Sequence, residues 1–240
     1  MRALSLADLH EKVLLELRST GFQVAIGHLR LSLGHATPIY VVGGFVRDCA
    51  RALIEDRNVE AKDLDVVVET SRLEEALAAL PGKRQVTPLG GCRWWPPATS
   101  GWIDAWQLAD TVWIRRLGLA PTIANFLAGV DLNVDRIVVG LHDHTVRDCG
   151  CLTAIATRTI DLDADIALDD LSPAELGRAV IAHLRMGYSL SERVVERLRA
   201  CHDDVLSPVV LERLRGDGHG DQVIENLISF LRAMGREVPQ

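Results

Sequence analysis

Apolar residues recur at helical spacing at the start of the chain, where Leu6, Leu9, Val13, Leu14 and Leu17 follow Ser5, a residue that caps helices. The spacing predicts a helix that Thr20-Gly21 breaks, then a second helical segment over 22–33. The period then changes. PIYVV, 38–42, is a short β-rich run ending in Gly43-Gly44, and Phe45 to Glu55 returns to helical spacing. Asp56-Arg57-Asn58 reads as a turn and Leu64 to Glu69 as a strand of β-branched residues. SRLEEALAALP predicts a helix capped by Ser71, with Glu74 at the capping-box position and Pro81 as its stop.

Residues 82–101 are rich in Gly, Pro and Thr and predict strand fragments with a mobile loop. WIDAWQL, 102–108, alternates as a strand does. A short helix is expected over 121–129, and VDLNVDRIVVGL, 130–141, ends in a strand before an HDHT turn. From 172 onward the pattern is helical: SPAELGRAVIAHLRMG, SERVVERLRACH and a last helix over 220–234, separated by Gly187 and by DGHG at 217–220. No internal repeat or low-complexity tract interrupts this. Strand and helix alternate in the middle of the chain, so the expected class is α+β, with helices packed on a sheet and a small helical C-terminal region. The expected boundaries are a helical segment over 1–35, a mixed core over 36–165 and a helical region over 166–240.

Composition supports a packed core: 48% of the 240 residues are hydrophobic. The net charge of −7 excludes a duplex-coating protein, which shows a basic excess, but allows a local basic site for nucleotide phosphates. Cys49, Cys92, Cys149, Cys151 and Cys201 are odd in number and irregular in spacing, with no paired CxxC framework. Cys149-Gly-Cys151 is read as a pair of thiols rather than as metal ligands. The amphipathic N-terminus carries charges throughout and no apolar run is long enough for a membrane span, so a soluble, reduced, cytoplasmic protein without a signal peptide is expected.

Some polar clusters have ordinary readings. His142-Asp143-His144 is expected in a surface hairpin rather than on a metal. The acidic run over 161–170 lacks the Gly and terminal Glu of a calcium loop and reads as a solvated linker. Trp102, Trp106 and Trp113 are assigned to the core, while Trp94 and Trp95, beside Arg93, stay open between core and a base-stacking loop. The arginines Arg193, Arg197, Arg199, Arg213 and Arg215 are interleaved with acids and read as solvent faces.

The chemistry concentrates in VVGGFVRD, 41–48, and KDLDVVVE, 62–69. A strand that ends in two glycines and opens a helix brings backbone N–H groups close to an anion, and Arg47 lies one turn into that helix. Asp63 and Asp65, two apart on a strand, point to one face and repel unless a cation lies between them; Mg²⁺ suits such a pair together with substrate phosphates. A third carboxylate completes a two-metal arrangement; Asp104 is the best candidate and Asp110 a weaker one.

GGFVRD followed by KDLDVVV resembles the head domain of class II tRNA nucleotidyltransferases and bacterial poly(A) polymerases, in the polymerase-β superfamily. The likeness extends more faintly through VDLNVDRIVVGL, HTVRDCGCLTAIATRTIDL and AELGRAVIAHLRMGYSLSERVVERL, the last resembling the start of the family's helical neck, so it spans about residues 38–198. The resemblance implies a nucleotidyltransferase-type mixed sheet and transfer of NMP from an NTP to an acceptor hydroxyl, with release of pyrophosphate. It makes Gly43 and Gly44 the glycines that admit the triphosphate. Arg47 touches phosphate or braces the site, and Asp48 orients it. Asp63, Asp65 and Asp104 hold Mg²⁺ or Mn²⁺, with Asp104 also polarising the acceptor hydroxyl. Asn133 lies near the ribose, and Arg115 or Arg116 neutralises phosphate. The acceptor stays open between an RNA 3′ end, a protein and a small molecule, and a non-catalytic nucleotide- or RNA-binding module is the alternative. A homo-oligomer or a partner protein fits the same reading; a membrane does not. The chain departs from the family where Leu127-Ala128-Gly129-Val130-Asp131 replaces an Arg-Arg-Asp run, and in lacking a Glu-Asp-x-x-Arg segment in its C-terminal helices. The family's tRNA-holding body and tail are expected to be absent.

Overall fold

The computed structural model describes residues 4–59, 63–87, 90–97, 99, 101–162, 172–216 and 219–236. The chain forms two compact units, one of residues 1–130 and 135–155, the other of residues 131–134 and 156–240.

In the first unit, α1 (Leu6–Ser19) begins at Ser5, whose hydroxyl accepts from the Asp8 N–H at 3.0 Å, and α2 (Phe22–Leu33) starts after Gly21 in the left-handed conformation. Then come β1 (Ile39–Val42), α3 (Gly44–Glu55), β2 (Asp63–Val68), α4 (Leu73–Ala78), β3 (Lys83–Val86), β4 (Cys92–Trp95) and β5 (Trp102–Gln107). The short helices α5 (Val112–Leu117) and α6 (Ile123–Ala128) follow, then β6 (Ile137–Gly140), β7 (Val146–Asp148) and α7 (Cys151–Thr157), which runs into the second unit. The described strands make a seven-stranded sheet in the order β3-β4-β5-β2-β1-β6-β7. Only the β2–β5 pairing is parallel, so the sheet is mixed, as the α+β expectation requires.

Alternation along the strands gives the sheet two faces. α3 packs on β1, β2 and β6, and α1 packs on α3 and β7. Toward the other face, Tyr40, Val42, Val67 and Val138 from the strands meet Leu108, Ile114, Ile123 and Leu127 in one apolar cluster that brings in α5 and α6. Trp94 shows what alternation decides. It pairs with Ile103, away from the face of Asp104, is fully buried, and donates its indole N–H to the Pro81 carbonyl at 2.9 Å. Trp102, Trp106 and Trp113, expected in the core, are only half-buried; Trp102 and Trp106 share the face of Asp104. α4 also differs from expectation. The Thr70 hydroxyl takes the Arg72 N–H at 3.1 Å, so the helix begins at Leu73 without a Ser71 cap. His142-Asp143-His144 lies in the β6–β7 turn, where the Asp143 carboxylate accepts from the Thr145 hydroxyl at 2.8 Å.

In the second unit, β8 (Thr159–Ile160) pairs in parallel with β9 (Ser189–Leu190), and α8 (Pro173–Met186), α9 (Glu192–Val205), α10 (Pro208–Gly216) and α11 (Asp221–Arg236) pack together. α8 begins with Pro173 behind Ser172, whose N–H donates to the Glu175 carboxylate at 2.7 Å, and ends at Gly187 with φ of +68°. α10 was not legible as a separate helix; Pro208 starts it after a break at Ser207. Asp161 accepts from the Ser191 hydroxyl at 2.6 Å and pairs with Arg193; the rest of the acidic run, 163–171, lies outside the described residues, as does the 165/166 boundary. None of the five cysteines is in a disulfide, and no helix among the described residues is long and apolar enough to cross a membrane.

Candidate active site: a row of carboxylates beside a double-glycine turn

Strand register gathers the carboxylates. Asp63 and Asp65 share a face of β2 with Val67, which belongs to the apolar cluster under α5 and α6. β5 runs parallel to β2 with Asp104 directly opposite Asp65. β1 runs antiparallel to β2 on the other side, with Val42 opposite Asp65. The end of β1 therefore sets the Gly43-Gly44 turn beside Asp65.

Gly43 adopts φ +66° and ψ −140°, a region that only glycine enters without strain, and a Cβ there would stand 3.1 Å from Asp65 Oδ2. Two constraints thus select glycine at this position: backbone conformation and closeness to a carboxylate. Gly44 opens α3, a helix with no side-chain cap, so its first-turn N–H groups are not claimed by a capping side chain.

Arg47 is held from two directions. Its Nε donates to Asp48 Oδ1 at 3.0 Å and its Nη1 to Asp135 Oδ1 at 2.7 Å. Burial opposes its charge, but Asp135 and Asp48 outweigh that and keep the guanidinium protonated. Asp135 was not singled out in the sequence. Its signal was the IVVG run just after it: pairing of β6 with β1, Val138 against Val42, puts the residues that precede β6 next to the glycine turn.

Asp104 carries a second partner that sequence reasoning passed over. β4 lies antiparallel to β5 with Arg93 opposite Asp104. Arg93 donates Nε to Oδ1 at 2.8 Å and Nη2 to Oδ2 at 2.7 Å, a bidentate pair. The Trp102 indole N–H also reaches Oδ2, at 3.3 Å, and the Arg93 guanidinium lies over the Trp102 ring, 4.9 Å from its centroid.

The row carries more negative charge than its surroundings compensate. Burial, then the neighbouring charges of Asp63, Asp104 and Asp135, push the Asp65 carboxyl well above the usual range, against the pull of Arg47. Burial and Asp104 push Asp63 upward in the same way, with Arg93 opposing. Among the described residues no group of three His, Cys, Asp or Glu side chains is set to hold a metal ion as it stands.

Arg115 and Arg116 are exposed on α5, with Arg116 over the Trp113 ring. Asn133 belongs to the second unit, where its amide donates to the Thr159 carbonyl at 3.0 Å and accepts from the Asp161 N–H at 2.9 Å.

No family model and no curated protein matches the chain. Solved structures do. The apo form of a CCA-adding enzyme superposes with a TM-score of 0.64 at 20% identity, over 91% of this chain and 52% of that one. A tRNA nucleotidyltransferase complexed with a primer tRNA and an incoming ATP analogue gives 0.60 at 19%, over 89% and 63%. The Thermotoga maritima CCA-adding enzyme complexed with tRNA gives 0.54 at 22%, over 77% and 42%. The chain thus spans about half the length of the structures it matches. At these identities the likeness is one of fold: the chain is folded as about half the length of the CCA-adding structures is.

Proposed function

We propose that this chain transfers a nucleoside monophosphate from a nucleoside triphosphate to an acceptor hydroxyl. The observation that carries the reading is the approach of the Gly43 turn to Asp65, on the face that Asp65 shares with Asp63. A triphosphate at that turn meets the N-terminus of α3, the one place where backbone N–H groups and helix polarity favour an anion beside two carboxylates. Asp63 and Asp65 fit Mg²⁺ or Mn²⁺: they are hard oxygen donors on one face, and burial first, then the neighbouring aspartates, make their ionisation costly without a cation. Such an ion, when bound, supplies charge neutralisation and orientation of the phosphates. Arg47, kept charged by Asp135 and Asp48, braces the turn or contacts phosphate. The acceptor oxygen loses its proton and bonds to the α-phosphorus, the bond to the bridging oxygen breaks, and pyrophosphate leaves. Catalysis of this kind is positioning plus electrostatics.

An RNA 3′ end is the acceptor class favoured, supported by the tRNA complexes among the structural neighbours. The hold of Arg93 on both oxygens of Asp104 favours a second reading, a head-like module that binds nucleotide or RNA without turnover. The two separate in one experiment. Each α-³²P NTP is incubated with Mg²⁺ or Mn²⁺ and with total RNA or protein, using wild type and Asp63→Ala/Asp65→Ala. Label that enters a macromolecule and vanishes in the double variant supports transfer. Nucleotide binding with no label in either fraction sinks transfer to RNA or protein and moves the weight to the binding module or to a small-molecule acceptor.

A further inference from the structure

Arg93 is not accounted for by a site in which three carboxylates share two metal ions. It is fixed by β4–β5 register rather than by chance of rotamer: the residue opposite Asp104 on the neighbouring strand points to the same face. Both of its bonds to Asp104 are short, 2.8 and 2.7 Å. Trp102 holds the pair from two sides, with its ring under the guanidinium and its N–H on Oδ2. Asp104 is 5% exposed and Arg93 only half-buried, so the carboxylate is the desolvated partner, and removing the arginine strands it. A metal ion that recruited Asp104 would have to compete for a carboxylate that already accepts two charge-assisted hydrogen bonds from Arg93 and one from Trp102.

We infer that Arg93 is the resident cation of this site: it holds Asp104 in place of a second metal ion, and the chain binds a single divalent ion through Asp63 and Asp65. The inference rests on the nucleotidyltransferase reading for its purpose, but not for its test. Geometry supports it. Asp63 and Asp65 make no hydrogen bond to a side chain among the described residues, whereas both oxygens of Asp104 are occupied. Arg93 is thereby a positioning residue, which fixes the orientation of Asp104 and the number of ions at the site.

Mn²⁺ binding by the full chain, read by electron paramagnetic resonance of the free ion without nucleotide, tests this apart from activity. The expected result is one Mn²⁺ per chain in wild type, lost in Asp63→Asn/Asp65→Asn. Asp104→Asn should change the affinity by less than about threefold, since that carboxylate is not a ligand. Arg93→Gln should bind a second Mn²⁺, and Arg93→Lys should stay at one; melting curves confirm that each variant folds. Two ions in wild type, or a tenfold loss of affinity in Asp104→Asn, overturns the inference while leaving the metal-dependent reading intact. No Mn²⁺ bound to wild type overturns the inference as well, and leaves the metal-dependent reading to be tested with nucleotide present. One ion in wild type with no label transferred to any acceptor leaves the single-ion site standing and removes the transferase reading.

Discussion

At Gly43 the backbone conformation and the 3.1 Å approach to Asp65 act on the same atom, the absent Cβ. Gly43→Ala should therefore cost about 1–3 kcal/mol in chemical denaturation and weaken Mn²⁺ binding, because relief of the strain moves the turn or the carboxylate. Gly44→Ala is the comparison: it carries no backbone strain, but a Cβ there meets the Arg47 guanidinium that Asp48 and Asp135 hold, so its cost should be smaller than that of Gly43→Ala without vanishing. Asp65 makes the opposite prediction. Its folded carboxyl is raised above the ordinary value of 3.8, so the group favours folding while protonated and that contribution is lost as pH rises through the folded pKa. Asp65→Asn should then be more stable than wild type at neutral pH in the absence of divalent ions, with the advantage shrinking as pH falls toward the carboxylate range. The same variant should lose at least about 10²-fold in nucleotidyl transfer. A variant less stable than wild type at neutral pH would show that the row is already compensated.

Element by element, what was legible followed from local signals. The Gly43-Gly44 turn, the β-branched strand after Asp63 and the alternation of WIDAWQL are short-range patterns, and β1, α3, β2 and β5 follow them. What escaped depends on which strand lies beside which. Asp135 acquires its role only because β6 pairs with β1, and Arg93 because β4 pairs with β5. Trp94 was ambiguous for the same reason: whether it faced the core depended on the register of an edge hairpin. In the helical unit, one contact between elements gives a pH prediction. His219 lies just before α11, and its Nδ1 accepts from Arg185 Nη2 of α8 at 3.1 Å. Burial, then Arg185 and Arg178, lower its pKa from 6.5 to about 4. A depressed folded value favours the neutral ring, so the contribution is present above pH 6.5 and is lost as pH falls through about 4. Melts across that range should show a loss on the order of 2 kcal/mol, allowing for water screening, and His219→Gln should flatten it. A profile unchanged by the substitution would mean that the ring is equally solvated in both states.

For the whole molecule, charge limits how an RNA acceptor is held. The chain carries a net charge of −7 and spans about half the length of the CCA-adding structures that share its fold. The carboxylate row adds to the local negative charge, and among the described residues Arg47 and Arg93, which reach it, are both committed to carboxylates. Neither is therefore offered to an RNA backbone. RNA should be gripped at its 3′ end through a few phosphates and the site itself. Each single-strand phosphate neutralised contributes a slope of about −0.7 in log affinity against log salt, so a grip on four phosphates or fewer predicts a slope no steeper than about −3. Salt titration of a 3′-labelled oligonucleotide, with Asp63→Asn/Asp65→Asn beside wild type, measures this directly. The double variant should bind somewhat more tightly without divalent ions, because it removes negative charge from the approach. A slope steeper than about −5 would mean that the acidic chain nonetheless presents an extended phosphate-binding surface, and would move the acceptor question away from the 3′ end and toward the body of the RNA.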